Sequence, residues 1–297
     1  MQPQVTYHPS LKERTTLRLG GTAIAEVLLK GESDFERLPE LLTELGGTPL
    51  ALGRGSNLLA KDDELPLVLL RQESVEPPRI LQDEEDYAII EVPAAHPLPL
   101  LLYFAAEQGL AGLEGLAGIP GSVGGAIAMN AGSFGAEIGS FLSEVHIFTP
   151  EQGLFRKPAD EINPTYRNFT FSGQGLAAWH VIFGATLRLN RGDKKTIHAQ
   201  MQENILKKTA SQPMSAASAG CTFKNPSREE PAGLLLDKCG FKGKRLGGMM
   251  FSELHANFLV NRNNGSSEEA MQLIGEARAA VKNEFGHELE LEVRVIP

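Results

Sequence analysis

Cysteine is almost missing from these 297 residues, occurring only at Cys221 and Cys239. Two isolated thiols exclude a disulfide framework and a cysteine-ligated zinc site, so both are expected to be reduced and no metal is expected. Positive charge is also short: 28 Lys and Arg stand against 37 Asp and Glu, a net charge of -9. A general nucleic-acid binder needs a basic stripe, so nucleic acid is not an expected partner. An anionic small ligand is compatible with that balance, because local cations and helix ends hold phosphate inside acidic proteins. No apolar run reaches the ~20 residues that span a bilayer. The opening "MQPQVTYHPSLKERTT" lacks the basic-then-apolar pattern of a secretion signal. No membrane insertion is expected, and the expected location is cytoplasmic.

What is present is ordinary globular material, 42% hydrophobic and 22% charged, in a chain long enough for two domains. "TAIAEVLLK" reads as a strand and "ESDFERLPELLTELGG" as a helix, with Ser33 and Glu36 as its capping box and Gly46 or Gly47 as its stop. "TPLAL" and "LPLVLL" resume strand character around "GRGSN". A second set runs from "YAIIEV" through the helical "PLLLYFAAEQ" to the strands "SEVHIF" and "HVIFGATLRL". The Pro- and acid-rich "VEPPRILQDEED" joins the two sets. Beyond "NRGDKK", "TIHAQMQENILKK", "EEPAGLLLDKC" and "SSEEAMQLIGEARAAVKNEF" read as helices, "ANFLVN" and "LELEVRVI" as strands. The pattern is α+β, with subdomains over about 1–75 and 85–190 and a further domain over 191–297.

Two stretches are rich in glycine. In "GLAGLEGLAGIPGSVGGAIAMNAGSFG", residues 109–135, a glycine stands at every third position from Gly109 to Gly124. The run is too short and too poor in proline for collagen. Glu114 and Pro120 interrupt any membrane-helix packing motif. The remaining reading is backbone that approaches a flat or charged ligand closely. "LGRGSNLLAKDD" sets Gly53 and Gly55 after a strand, where successive amides can form an anion-binding nest. It is neither a P-loop nor a dinucleotide fingerprint, since Leu58 stands where the third glycine would be. Taken alone, that loop is more often a structural turn; together the two loops could grip a diphosphate from both sides.

Several stretches, in order, resemble the UDP-N-acetylenolpyruvoylglucosamine reductase family: "TTLRLGGTA", "GRGSNLL", "LEGLAGIPGSVGGAIAMNAGSFG", "YRNFTF", "SAGCTFKNP", "GGMMFSELHANFLVN" and "LEVRVI". The resemblance runs nearly end to end. It implies a two-subdomain FAD-binding fold of the vanillyl-alcohol-oxidase type plus a C-terminal α+β substrate-binding domain, whose last strand contributes to the active site. It also implies NADPH-dependent reduction of UDP-N-acetylglucosamine enolpyruvate to UDP-N-acetylmuramate through FAD, a step of peptidoglycan synthesis. No histidine lies in 51–60, so the FAD is expected to be non-covalent. Expected cofactor contacts are Gly53, Arg54, Gly55, Ser56, Asn57, Leu58, Ile119, Pro120, Gly121, Ser122, Gly124, Gly125, Ala126 and Asn130, with side chains at the glycines excluded by collision with the cofactor.

For the chemistry, the resemblance selects Arg167, Cys221 and Glu292. Outside it, Arg167 reads as a surface residue, Cys221 as inert packing and Glu292 as part of the solvated face of an alternating strand. An arginine fork binds a carboxylate bidentately and stabilises developing negative charge. The family usually carries serine where Cys221 stands, as proton donor; a thiol with a reference pKa near 8.5 is mostly protonated at neutral pH and can serve. Phe169 and Thr170 stand where the family usually has a serine after the YR pair. Tyr166, Lys224, Asn225, His255 and Asn257 are the substrate candidates. The short distance from "YRNFTF" to "SAGCTF" resembles the subgroup without a tyrosine-bearing insertion. The rival readings are a flavin-dependent oxidase of the same broad fold and a catalytically silent UDP-sugar-binding protein.

Overall fold

The strands read from "SEVHIF", "HVIFGATLRL" and "YAIIEV" come together in one sheet. Its order is Gly153–Pro158, Leu142–Thr149, Val181–Arg191, Tyr87–Pro93 and Arg79–Asp83, with Leu110–Ala111 added alongside Val181–Arg191. On one side Val145, Ile147, Ala185, Leu187, Ile90 and Val92 join a buried cluster with Leu98, Leu101, Leu102 and Ala105 of the helix Leu98–Glu107. The Phe35 ring lies 5.2 Å from that of Phe148 and 5.7 Å from that of Phe183. The sheet is thus buried on both faces here, which explains why residues 145–149 of the strand Leu142–Thr149 are buried at every position rather than alternating.

The computed structural model describes residues 3–73, 76–165, 168–171 and 179–296, with the backbone alone at 163–165 and 168–171. The chain groups into two units: residues 1–7, 25–53 and 66–207 form the first, and 8–24, 54–65 and 208–297 the second. The expected chain-order division at 190/191 therefore differs from the compact units. Pairing is the reason: Leu58–Ala60 lies parallel to Arg294–Ile296 within the second unit, so a segment from the first quarter of the chain belongs with its end.

A four-stranded sheet of order Gln4–Tyr7, Thr22–Leu29, Glu64–Gln72 and Thr48–Ala51 completes the first unit's framework. The helix expected over "ESDFERLPELLTELGG" is two helices, Glu32–Glu36 and Leu38–Leu45. Pro39 cannot continue an interior ladder but fits the first turn of a new helix. Asp34, rather than the expected Ser33 and Glu36, makes the cap: its Oδ2 accepts from the amides of Lys30 at 2.7 Å and Gly31 at 3.3 Å. Gly46, at φ +69°, ends the second helix as expected.

In the second unit, Ser218–Cys221, Phe258–Asn261, Met249–Phe251 and Arg245–Leu246 form a sheet in that order. The helix Ser267–Phe285 buries Ala270, Leu273, Ile274, Ala277 and Val281 in the unit's core. Ser266 and Glu269 form a reciprocal capping box at its start, at 3.1 and 3.0 Å, and Gly286 at φ +77° closes its end.

Candidate active site

Cys221 is placed by a bulge. Ser218 pairs with Val260 but Cys221 with Phe258, so three steps along one strand oppose two along the other. Gly220, at φ +78°, takes the left-handed conformation that this irregularity needs. The small residues of "SAGC" thus aim the thiol and leave it half-buried at the strand's end. The following residues lie between two segments. Thr222 donates its amide to the Asn257 carbonyl at 2.7 Å, and Lys224 donates its amide to the Glu290 carbonyl at 2.9 Å.

The expected strand over "LELEVRVI" is broken where it matters. Leu291 bridges Phe223, the chain bends at Glu292 and Val293, and strand geometry resumes at Arg294–Ile296 beside Leu58–Ala60. The bend arises because the Thr222 carbonyl accepts from two successive amides, Glu292 at 2.9 Å and Val293 at 3.3 Å. Glu292 therefore sits where the terminal segment changes partners, across from the residue that follows Cys221. The expected alternation survives in part: Leu289, Leu291 and Val293 contribute to the core, while Glu290 and Arg294 are exposed.

Asn257 is expected to face substrate, but its carboxamide is fully engaged elsewhere. It is 1% exposed, accepts from the Phe223 amide at 2.9 Å and donates to the Phe223 carbonyl at 2.8 Å. It fixes the strand behind Cys221. Asn225 accepts from the Ala232 amide at 3.0 Å and so helps start the helix Ala232–Lys238, while the residue itself is exposed. Lys224 pairs with Glu290 at 3.2 Å. His255 accepts from the Asn257 amide at Nδ1, and burial lowers its pKa, with Lys242 adding to the shift. Burial and the neighbouring Glu284 push the Cys239 thiol up to about 11, so it is protonated and unreactive at neutral pH.

The glycine period of the first unit has local causes. Gly109, Gly112, Gly118 and Gly121 have φ of +65°, +122°, +82° and +125°. A Cβ at Gly115 would lie 2.5 Å from the Ser133 carbonyl oxygen, and one at Gly124 would lie 2.8 Å from Ala94 Cβ. At those two positions protein by itself leaves no room for a Cβ. Asn130, 1% exposed, is engaged internally, donating to Glu137 and accepting from the Gly139 amide, both at 3.0 Å. Ala126 and Ile119 pack with the core, leaving Pro120 and Gly125 as the exposed residues of that stretch. Leu58 belongs to the strand paired with the chain's end rather than to the loop before it.

Comparison with known proteins decides the identity. Residues 212–296 match the family model described as UDP-N-acetylenolpyruvoylglucosamine reductase, C-terminal domain, and residues 24–156 match that of an FAD binding domain. The chain is 50% identical to the UDP-N-acetylenolpyruvoylglucosamine reductase of Oleidesulfovibrio alaskensis, covering 100% of this chain and 99% of that one. It is also 50% identical to that of Nitratidesulfovibrio vulgaris over 97% of both chains. The crystal structure of the Thermus caldophilus reductase superposes with a TM-score of 0.82 at 32% identity, covering 99% of each chain. The chain belongs to the UDP-N-acetylenolpyruvoylglucosamine reductase family. It is an FAD-dependent oxidoreductase whose fold joins an FAD-binding domain to the reductases' C-terminal domain.

The loop 53–57 fits the cofactor this family uses. Among the described residues, no acceptor pairs with the amides of Gly53, Arg54 or Gly55, although Gly55 is buried. A Cβ at Gly53 would meet Ser122 Oγ at 2.6 Å, and one at Gly55 would meet the Arg14 carbonyl oxygen at 2.2 Å. Three successive amides with no acceptor among the described residues, two of them on glycines, suit a phosphate. Ser122 Oγ is itself engaged by the Gly125 amide at 3.3 Å. Tyr166 and Arg167 lie outside the described residues. Thr16, in the quoted "TTLRLGGTA" but given no role from sequence, donates its hydroxyl to the Ser218 carbonyl at 2.6 Å, and its amide donates to the Gly55 carbonyl. No sequence period could have singled it out, because its partners lie far along the chain.

Proposed function

We propose that this reductase converts UDP-N-acetylglucosamine enolpyruvate to UDP-N-acetylmuramate with NADPH as reductant, a cytoplasmic step of peptidoglycan synthesis. FAD, held non-covalently by the amides of the 53–57 loop, supplies hydride transfer from NADPH to the enol ether's methylene carbon. The protein's own groups handle the charge and the proton. Arg167 binds the substrate carboxylate, where negative charge gathers together with the adjacent carbon as hydride reaches the methylene. Glu292 orients or protonates the acidic intermediate, and the thiol of Cys221 delivers its proton to the carbon beside the carboxylate, completing the lactyl ether. Lys224, Asn225, His255 and Tyr166 serve the nucleotide half, and residues 191–297 carry most of the substrate site. The chain reads as the shorter subgroup, without a tyrosine-bearing insertion.

The arrangement around Thr222 carries this reading. One carbonyl gathers the amides of Glu292 and Val293 directly after Cys221, which brings both proton-handling candidates onto paired segments. Stopped-flow spectroscopy tests it. After reduction by NADPH, the flavin should be reoxidised rapidly by the enolpyruvyl sugar nucleotide and slowly by oxygen. Rapid reoxidation by oxygen with no response to the sugar nucleotide would establish an oxidase instead.

A further inference from the structure

The loop that suits the cofactor is bonded directly to the segment that carries Glu292 and, through Thr16, to the segment that carries Cys221. Asn57 Nδ2 donates to the Glu292 carbonyl at 3.0 Å, and the Asn57 carbonyl accepts from the Arg294 amide at 3.0 Å. These bonds bracket the bend at Glu292 and Val293, whose own amides are both held by Thr222. On the other side, Thr16 joins the Gly55 carbonyl to the Ser218 carbonyl, three residues before Cys221. The Glu292 carbonyl and the three amides from Glu292 to Arg294 are thus fixed either by the Cys221 segment or by the loop.

We infer that Asn57 is a positioning residue for Glu292. Its carboxamide sets the peptide plane that leaves Glu292, and through it the direction of the carboxylate. A loop ordered by the flavin's diphosphate then orders the acid as well, so proton delivery is assembled only when the cofactor is bound. A neutral hydrogen bond of this kind contributes about 1 kcal/mol net, or roughly fivefold in the population of the correct geometry. The inference rests on Glu292 acting as proposed above, and its test separates the two.

Hydrogen exchange followed by mass spectrometry reads the tether without turnover. In the wild-type protein, FAD should slow exchange at 292–294 as well as in the loop. In Asn57→Ala and the near-isosteric Asn57→Asp, loop protection should persist while protection at 292–294 falls roughly fivefold. In FAD-loaded protein already reduced by NADPH, reoxidation by saturating substrate should slow five- to tenfold with KM unchanged in both variants. Wild-type protection at 292–294 in variants that hold FAD overturns the inference. Should a variant lose FAD, the apoproteins decide: faster exchange at 292–294 than in wild-type apoprotein supports the tether, and equal rates overturn it. Full activity in Glu292→Gln would instead overturn the acid role, leaving the exchange result to stand or fall alone.

Discussion

In the first unit, the stretch from Gly109 to Gly124 works through its backbone. Four of its glycines adopt positive φ, and Gly115 and Gly124 lie where a Cβ would strike protein. In the second unit, the stretch from Ser218 to Lys224 has a single glycine and works through bonds to distant residues: Thr16, Asn257, Leu259 and Glu292 all hold it. One region is specified by which conformations are sterically open, the other by which partners arrive from elsewhere in the chain. Substitutions should therefore fail differently in the two.

The largest effect is expected in the second region. Cys221→Ala and Glu292→Gln should slow substrate-dependent flavin reoxidation by about 10²–10⁴-fold, the range of general acid–base catalysis. Both should melt like the wild type and be reduced normally by NADPH; Cys221→Ser should retain activity. A parallel loss of melting temperature would erase the contrast between the regions.

Gly115→Ala should do the opposite, destabilising the fold by about 3 kcal/mol or more, because backbone rather than a flexible side chain blocks the methyl. Calorimetry or thermal melting would register a fall of several degrees. An unchanged melting temperature would mean that the stretch is freer than its geometry implies.

A comparable effect belongs to pH. His146 is 3% exposed, its Nε2 has no hydrogen-bond partner among the described residues, and its pKa is lowered to about 4 by burial first and then by Arg156, against an opposing pull from Glu91. The unfolded chain, with a histidine pKa near 6.5, takes the proton first. This contribution is therefore fully present above about pH 6.5 and is lost as pH falls towards 4. At about 1.4 kcal/mol per unit, it is worth on the order of 3 kcal/mol across that window. Denaturant titrations between pH 4 and 7 should show the slope, and His146→Leu should flatten it.

The smallest change sharpens the steric half of the comparison. Gly275 lies within the helix Ser267–Phe285, and a Cβ placed there would have no neighbour within 4 Å. Gly275→Ala should stabilise by about 0.5–1 kcal/mol, seen as a small rise in melting temperature. Destabilisation there would show that glycine cost depends on more than local space.

Much of this molecule is legible in residue order alone. The strands Leu142–Thr149, Val181–Arg191 and Phe258–Asn261 and the helix Ser267–Phe285 follow from hydrophobic runs and helical periodicity, signals complete within a few residues. Cys221 and Glu292 are selected by the resemblance. Order along the chain also distinguishes the GRGSN loop from standard phosphate-binding motifs. Other features have no local signature. The cap of the helix Glu32–Glu36 turns on how Asp34 competes for the amides of Lys30 and Gly31. The obligations of Asn130 and Asn257 look, in sequence, like those of any polar loop residue. The bend at Glu292 and its tether to Asn57 join positions separated by 235 residues. Local propensity acts through sterics and spacing along the backbone, so residue order carries it. A hydrogen bond across that separation exists only once the whole chain has folded and brought the two groups to 3.0 Å.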